Sequence, residues 1–193
     1  MQSESHLYFE RSDRSDLAAS AVRAITKPGS IGWISTLAPD GSARLSAFDD
    51  FGLVGTIEPA VMFAGSGISV GGFMSNAINH ARRSRDFTAN LANADLRHQL
   101  SATDWWGQEF EAVGVMPAPG RSVGCPRVAE SPISVECRVV GVVDLPCLVT
   151  DVENVVVFGH ITGIHIDPRI ITPAGLDPTK IVPIPRSPDF DLD

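Results

Sequence analysis

The sequence predicts a mainly β domain, a barrel of strands with a few peripheral helices, and three observations carry that reading. Six or more short apolar runs are separated by turn residues, and no strand–helix–strand alternation appears. The run from Val155 to Ile166 carries apolar side chains on both parities, as a central or barrel-forming strand does. Between two strand-like runs, Pro39-Asp40-Gly41-Ser42 supplies a strong turn. There proline presets one backbone angle and glycine accepts a positive one.

The elements follow in order. Residues 1–14 are polar and read as an extended tail. Asp16 to Ile25 reads as a short helix, with Ser15 or Asp16 able to cap it and Pro28-Gly29 stopping it. Ile31–Leu37 and Ala43–Phe48 form the two strands of the hairpin. After Glu58-Pro59, residues 60–64 read as a buried strand. A glycine-rich loop, residues 65–72, leads into a helix over 74–83. Residues 87–91 are a strand and 95–100 a helical stretch. Residues 104–132 hold Trp105-Trp106 and many prolines and glycines. An ordered segment of that length is usually functional. Ile133–Val143 and Val155–Ile166 are the longest strands, and residues 187–193 form a second extended tail. All of this fits one domain over residues 1–193.

Composition excludes several function classes. The formal charge of -8 argues against a nucleic-acid partner, which needs a concentrated basic surface. His80, Arg82, Arg83 and Arg85 form a short basic cluster, the one local exception. No apolar stretch is long enough for a membrane helix, so no membrane association is expected. The start of the chain lacks the basic and apolar regions of a secretory signal. Cys125, Cys137 and Cys147 cannot all pair within one chain, and they fit no zinc spacing. The expectation is reduced thiols in a cytoplasmic protein without a metal site.

Four segments, in order, resemble the flavin-reductase-like (FMN-binding) family. They are Ile31-Gly32-Trp33-Ile34-Ser35-Thr36 with Asp40-Gly41, Asp86-Phe87-Thr88-Ala89-Asn90-Leu91, the block from Pro126 to Cys137, and Phe158 to Ile166. Leu176-Asp177-Pro178-Thr179-Lys180 also fits, so the resemblance covers residues 9–186. It implies a split β-barrel that forms a homodimer, with FMN near the dimer interface. It further implies oxidoreductase activity, with NADH or NADPH reducing the flavin. Such a protein serves a partner monooxygenase or acts directly on a small organic substrate.

By the resemblance, the flavin contacts fall on Ser46, Ala47, Phe48 and Asp49, and on Ser75, Asn76 and Ala77, chiefly through backbone groups. Several family features are replaced. The arginine-proline pair before Ile31 reads Gly29-Ser30, and the hydroxyl closing the second strand has become Asp49, followed by Asp50. The Lys-Asp-Thr run at the helix entry reads Ser75-Asn76-Ala77. An ionised carboxylate accepts hydrogen bonds but cannot donate them to a phosphate.

Three readings stand open. In one, FMN still binds, with the glycine-rich loop, Ser75, Asn76 and Arg82, Arg83 or Arg85 replacing the lost phosphate ligands. In another, the pocket is flavin-free and serves an acid/base or cyclisation step on an apolar metabolite. Asp49 and Asp50 are then the candidate catalytic groups, and Trp105 with Trp106 lines the substrate pocket. In the third, the chain is a dimeric scaffold.

His165 is a further catalytic candidate, because histidine titrates near neutral pH. Strand alternation puts His160 and His165 on opposite faces, which excludes a shared metal unless a bulge intervenes. Val152-Glu153-Asn154 stands where some related reductases carry a nicotinamide-associated Gly-Asp-His. Glu136 alternates with apolar neighbours and is expected half-buried, with Arg127 or Arg138 as partner.

Overall fold

The computed structural model describes residues 6–13, 15–68, 76–104 and 106–185. Its strands are β1 (Leu7–Glu10), β2 (Gly32–Leu37), β3 (Ala43–Phe48), β4 (Asp50–Val54), β5 (Ala60–Ile68), β6 (Asp86–Asn90), β7 (Pro117–Ala118), β8 (Arg127–Val128), β9 (Ile133–Leu145), β10 (Val152–Ile166), β11 (Ile171–Thr172) and β12 (Gly175–Leu176). The helices are α1 (Asp16–Ile25), α2 (Asn76–Ser84) and α3 (Arg97–Ser101).

The main sheet is antiparallel and runs β3-β2-β6-β9-β10-β5-β4, with β1 pairing onto β10. β3 and β4 stand at opposite ends of that order, yet only Asp49 separates them in sequence. The sheet must therefore curl until its ends meet. Close packing at the seam agrees. A methyl group on Gly32 of β2 would lie 2.6 Å from the Phe51 ring of β4. One on Gly65 of β5 would lie 3.2 Å from both Phe48 of β3 and Ile78 of α2. The expected split barrel is thus the observed architecture.

The inner face holds the main core: Ile34, Phe48, Phe63, Phe87, Val135, Cys137, Val155 and Val157, closed by Ala21, Val22 and Ile25 of α1 and by Ala77, Ile78 and Ala81 of α2. Phe63 packs at 4.8 Å from Phe48 and 5.1 Å from Phe87, ring centroid to centroid. Fully burying each such ring contributes roughly 2 kcal/mol. α1 begins as its sequence dictates, with Ser15 as the cap accepting Ala18 N–H at 3.4 Å.

On the outer face, residues 92–104 and 106–131 form a second layer that packs on β2 and β3. Trp33 and Leu45 pack there with Leu96, Leu100, Phe110, Val113, Val115 and Val128. Asn90 ties this layer down. Its Nδ2 donates to Trp33 O at 3.2 Å, and its Oδ1 accepts Val128 N–H and the Ser134 hydroxyl, each at 2.9 Å.

Three expectations change. Residues 65–68, read as the start of the glycine-rich loop, extend β5 because they pair with β10. Residues 7–10, read as part of a loose tail, form β1, because the Tyr8 ring packs at a tilt against His165, 5.0 Å between centroids, and its strand finds a free edge of β10. The ladder of β9 and β10 also shifts register between Ile161 and Gly163. This bulge brings Ile164 and Ile166 onto the core face with Ile161, so His160 and His165 share the outer face. They are five residues apart, roughly 16 Å along the strand. His160 is engaged by Arg11 at 2.9 Å and His165 by Glu136. Among the described residues no cluster of three or more metal-ligating side chains occurs.

Candidate functional site

The β3–β4 corner gathers the residues that the sequence points to, but it turns several inward. Ser46 and Phe48 face the core with Ile34; both are buried, and so is Ala77. Side chains so placed contribute to a ligand only through their backbone. The Ser46 backbone is paired with Ile34 of β2, and the Ala47 amide donates to Asp104 O at 3.1 Å. Asp49 and Asp50 are exposed at the corner itself. Ser75 and Trp105 lie outside the described residues, as do residues 69–72 of the glycine-rich loop, residues 73–74 and the side chain of Asn76.

The segment after α3 runs along the outer edge of β3. Leu45 and Gln108 exchange two backbone hydrogen bonds of 2.9 Å. The Asp104 carboxylate folds the turn: Oδ1 accepts the amides of Trp106 (2.9 Å) and Gly107 (3.0 Å), and Oδ2 accepts Gln108 Nε2 at 2.8 Å. This places half-buried Trp106 beside Ala47 and so beside the corner. Trp106 and β3 thus belong to one region.

His165 does not join them. Asp50 pairs with Ala64, which pairs with Val156. His165 is nine residues further along β10, roughly 30 Å away. Its site is a buried polar cluster under the second layer. Glu136 is fully buried, and its Oε1 accepts His165 Nε2–H at 2.6 Å and Arg121 N–H at 2.7 Å. Its Oε2 accepts Ser122 N–H at 2.6 Å and the Ser122 hydroxyl. Burial pushes this carboxyl up. The hydrogen bonds from His165, Ser122 and the two amides more than offset that and hold it at about 2. The expected partners Arg127 and Arg138 are displaced by the loop amides and His165, which reach a carboxylate sealed under residues 120–122. Arg138 pairs instead with Asp86 at 3.4 Å. Sequence inspection missed this pair. Pairing Ile133–Val143 with Val155–Ile166 as one hairpin would have set Glu136 opposite Gly163, next to His165.

The basic cluster is also elsewhere. Arg82 and Arg83 occupy the last turn of α2, roughly 8–9 Å from Ala77 along the helix. Arg82 pairs with Asp144, and Arg85 donates to Val139 O at 3.0 Å. His80 is buried against the Thr36 hydroxyl at 3.1 Å, and burial lowers its pKa. Two of the thiols are quiet: burial, helped by Asp86, pushes Cys125 up to about 12, and burial raises Cys137 as well.

Beside the corner the outer sheet face is apolar and, among the described residues, uncovered. Val156 stands between Val143 and Ala64, and Phe158 between Gly141 and Met62. Val54, Val140, Val143 and Leu145 are 43–59% exposed. Asp50 projects from the same row as Val143, Val156 and Ala64. At the rim the Ser66 hydroxyl donates to Asn154 Oδ1 at 2.6 Å.

Comparison with known proteins agrees with this fold. The chain superposes on nitrilotriacetate monooxygenase component B from Bacillus cereus with a TM-score of 0.71 at 12% identity, covering 95% of this chain and 93% of that one. Flavoredoxin of Desulfovibrio vulgaris gives 0.68 at 18% identity, with 84% of each chain covered. An FMN-binding domain of a flavin-reductase-like enzyme from Shewanella baltica gives 0.62 at 12% identity, covering 98% and 100%. The chain therefore has the flavin-reductase-like split-barrel fold. No family model matches it. An uncharacterized protein of Deinococcus radiodurans is 33% identical over 153 residues, 73% of this chain and 66% of that protein. An uncharacterized protein of Aquifex aeolicus is 25% identical over 124 residues, 61% of each. The matched region is under two thirds of either relative's length. Among the described residues no helix is long and apolar enough to cross a membrane.

The corner matches FMN only in part. The apolar face with Met62, Val156 and Phe158, and the turn carrying Trp106, suit an aromatic ring. The phosphate finds no such match among the described residues. The Ser46 hydroxyl faces the core, the Ala47 amide is taken, and the exposed groups are carboxylates.

Proposed function

We propose that the protein is a flavin-dependent oxidoreductase of the flavin-reductase-like type that works as a homodimer. A second copy covers the apolar sheet face, and the flavin ring lies where that face meets the β3–β4 corner. The observation that carries this reading is the apolar row across β9, β10 and β5, which no described residue covers. The solvent face of an antiparallel sheet is ordinarily polar, and an exposed apolar patch marks an interaction surface. The split-barrel fold supports it. Bound flavin supplies hydride or electron chemistry; the chain's own residues orient it and exclude water.

The test is direct. Purified protein titrated with riboflavin and with FMN is expected to quench flavin fluorescence saturably, with a perturbed visible spectrum. Absence of both changes for both flavins refutes the reading. Exposed Asp49 and Asp50 at the corner favour a second reading, a flavin-free acid/base enzyme acting on an apolar metabolite. That reading predicts a colourless protein, indifferent to flavins, whose turnover falls in Asp49→Asn or Asp50→Asn.

A further inference from the structure

We infer that the charge of the corner selects an uncharged flavin over the mononucleotide. The inference rests on the flavin reading above and concerns the charge of the ligand's far end.

The sequence from Leu45 to Ala81 contains no lysine or arginine, and it contains Asp49, Asp50 and Glu58. That stretch supplies the end of β3, all of β4 and β5, and the entry to α2, which are the elements that meet at the seam. Its one histidine, His80, is buried against Thr36, and burial lowers its pKa. The other elements packed around the corner add acid. Glu153 of β10 pairs with Gly67 at the end of β5, and Asp104 borders Ala47. The nearest cations by sequence are committed elsewhere: Arg44 to Glu109 at 2.8 Å, Arg82 to Asp144, and Arg85 to Val139 O. Arg83 stands at the far end of α2.

A terminal phosphate monoester carries nearly two negative charges and calls for cations, hydroxyls or free amides. Exposed Asp49 at the corner repels it, and replacing a donor by a carboxylate both removes an attraction and adds a repulsion. An uncharged flavin has the same ring and a neutral ribityl hydroxyl at that end. It meets no such penalty, and its hydroxyls donate to the carboxylates.

The experiment compares riboflavin and FMN binding to the full-length protein by flavin fluorescence quenching, at low and high salt. Riboflavin is expected to bind at least as tightly as FMN. Raising salt from about 0.02 to 0.5 M shortens the Debye length severalfold, so FMN binding is expected to tighten roughly two- to threefold relative to riboflavin. The Asp49→Asn/Asp50→Asn double variant, at two exposed positions, is expected to raise the FMN-to-riboflavin affinity ratio about tenfold. FMN binding ten times tighter than riboflavin, or FMN binding weakened by salt, overturns this inference and leaves the flavin reading standing. Binding of neither flavin overturns both.

Discussion

Replacing Glu136 by glutamine tests how the second layer is fastened. The carboxylate is fully buried and accepts four hydrogen bonds, two on each oxygen. Glutamine keeps the shape but turns one oxygen into a donor. If the NH2 replaces Oε1, His165 can change tautomer and accept, but the Arg121 amide is left facing a donor. If it replaces Oε2, the Ser122 hydroxyl can rotate, but the Ser122 amide is left in the same position. Either way one buried amide loses its acceptor and the remaining bonds lose their charge assistance, for a loss of about 3 kcal/mol.

The pH dependence gives an independent handle on the same group. A carboxyl held at about 2 rather than 4.5 stabilises the folded state by about 3 kcal/mol. Because the folded value is depressed, that stability is present above pH 5 and is lost as pH falls toward 2. Urea unfolding at pH 7.5, with a slope of about 2 kcal/mol per molar, should show a midpoint lower by about 1.5 M in Glu136→Gln. Repeated at pH 4 and pH 3, the wild-type midpoint should fall toward that of the variant. A midpoint change under about 0.3 M, or curves that stay parallel down to pH 3, refutes the reasoning.

Other substitutions probe the barrel and the proposed interface. Gly159→Ala would push a methyl into the Phe87 ring and to 2.8 Å from Cys137 Cβ. It should cost about 1–3 kcal/mol, seen as a melting temperature lower by roughly 3–10 °C. Gly52→Ala, with nothing within 4 Å of the added methyl, should change little by comparison. Val156→Lys places a charge in the middle of the apolar face and should shift the protein from twice the chain mass to a monomer in light scattering. A wild-type protein that is monomeric at the same concentration removes the proposed interface.

Parts of this fold were legible because the chain carries their signals locally. Pro39-Asp40-Gly41 announces the β2–β3 hairpin, and Gly41 indeed adopts a positive φ of 82°. The two-sided apolar pattern of residues 155–166 announces β10, which pairs with β9, β5 and β1. What escaped inspection depends on partners distant in sequence. β4 follows β3 without a proline or glycine between them, so nothing local marks the corner at Asp49. The bulge between Ile161 and Gly163 leaves no trace beyond a glycine, yet it reverses the face His165 presents. The inward turn of Ser46 follows from its pairing with Ile34, whereas motif matching attends only to residue type. Arg82, Arg83 and Arg85 looked like phosphate ligands because they are near Asn76 in sequence, but a helix carries them to its other end.

The one-residue link between β3 and β4 makes the two rims of the sheet a single moving part. Sliding β3 one pair along β2 would drag β4 along β5, so neither rim can slip alone. An open sheet of seven strands has two independent ends that can fray or recruit stray chains. Here the ends share one tether, and a disturbance at either is felt at both.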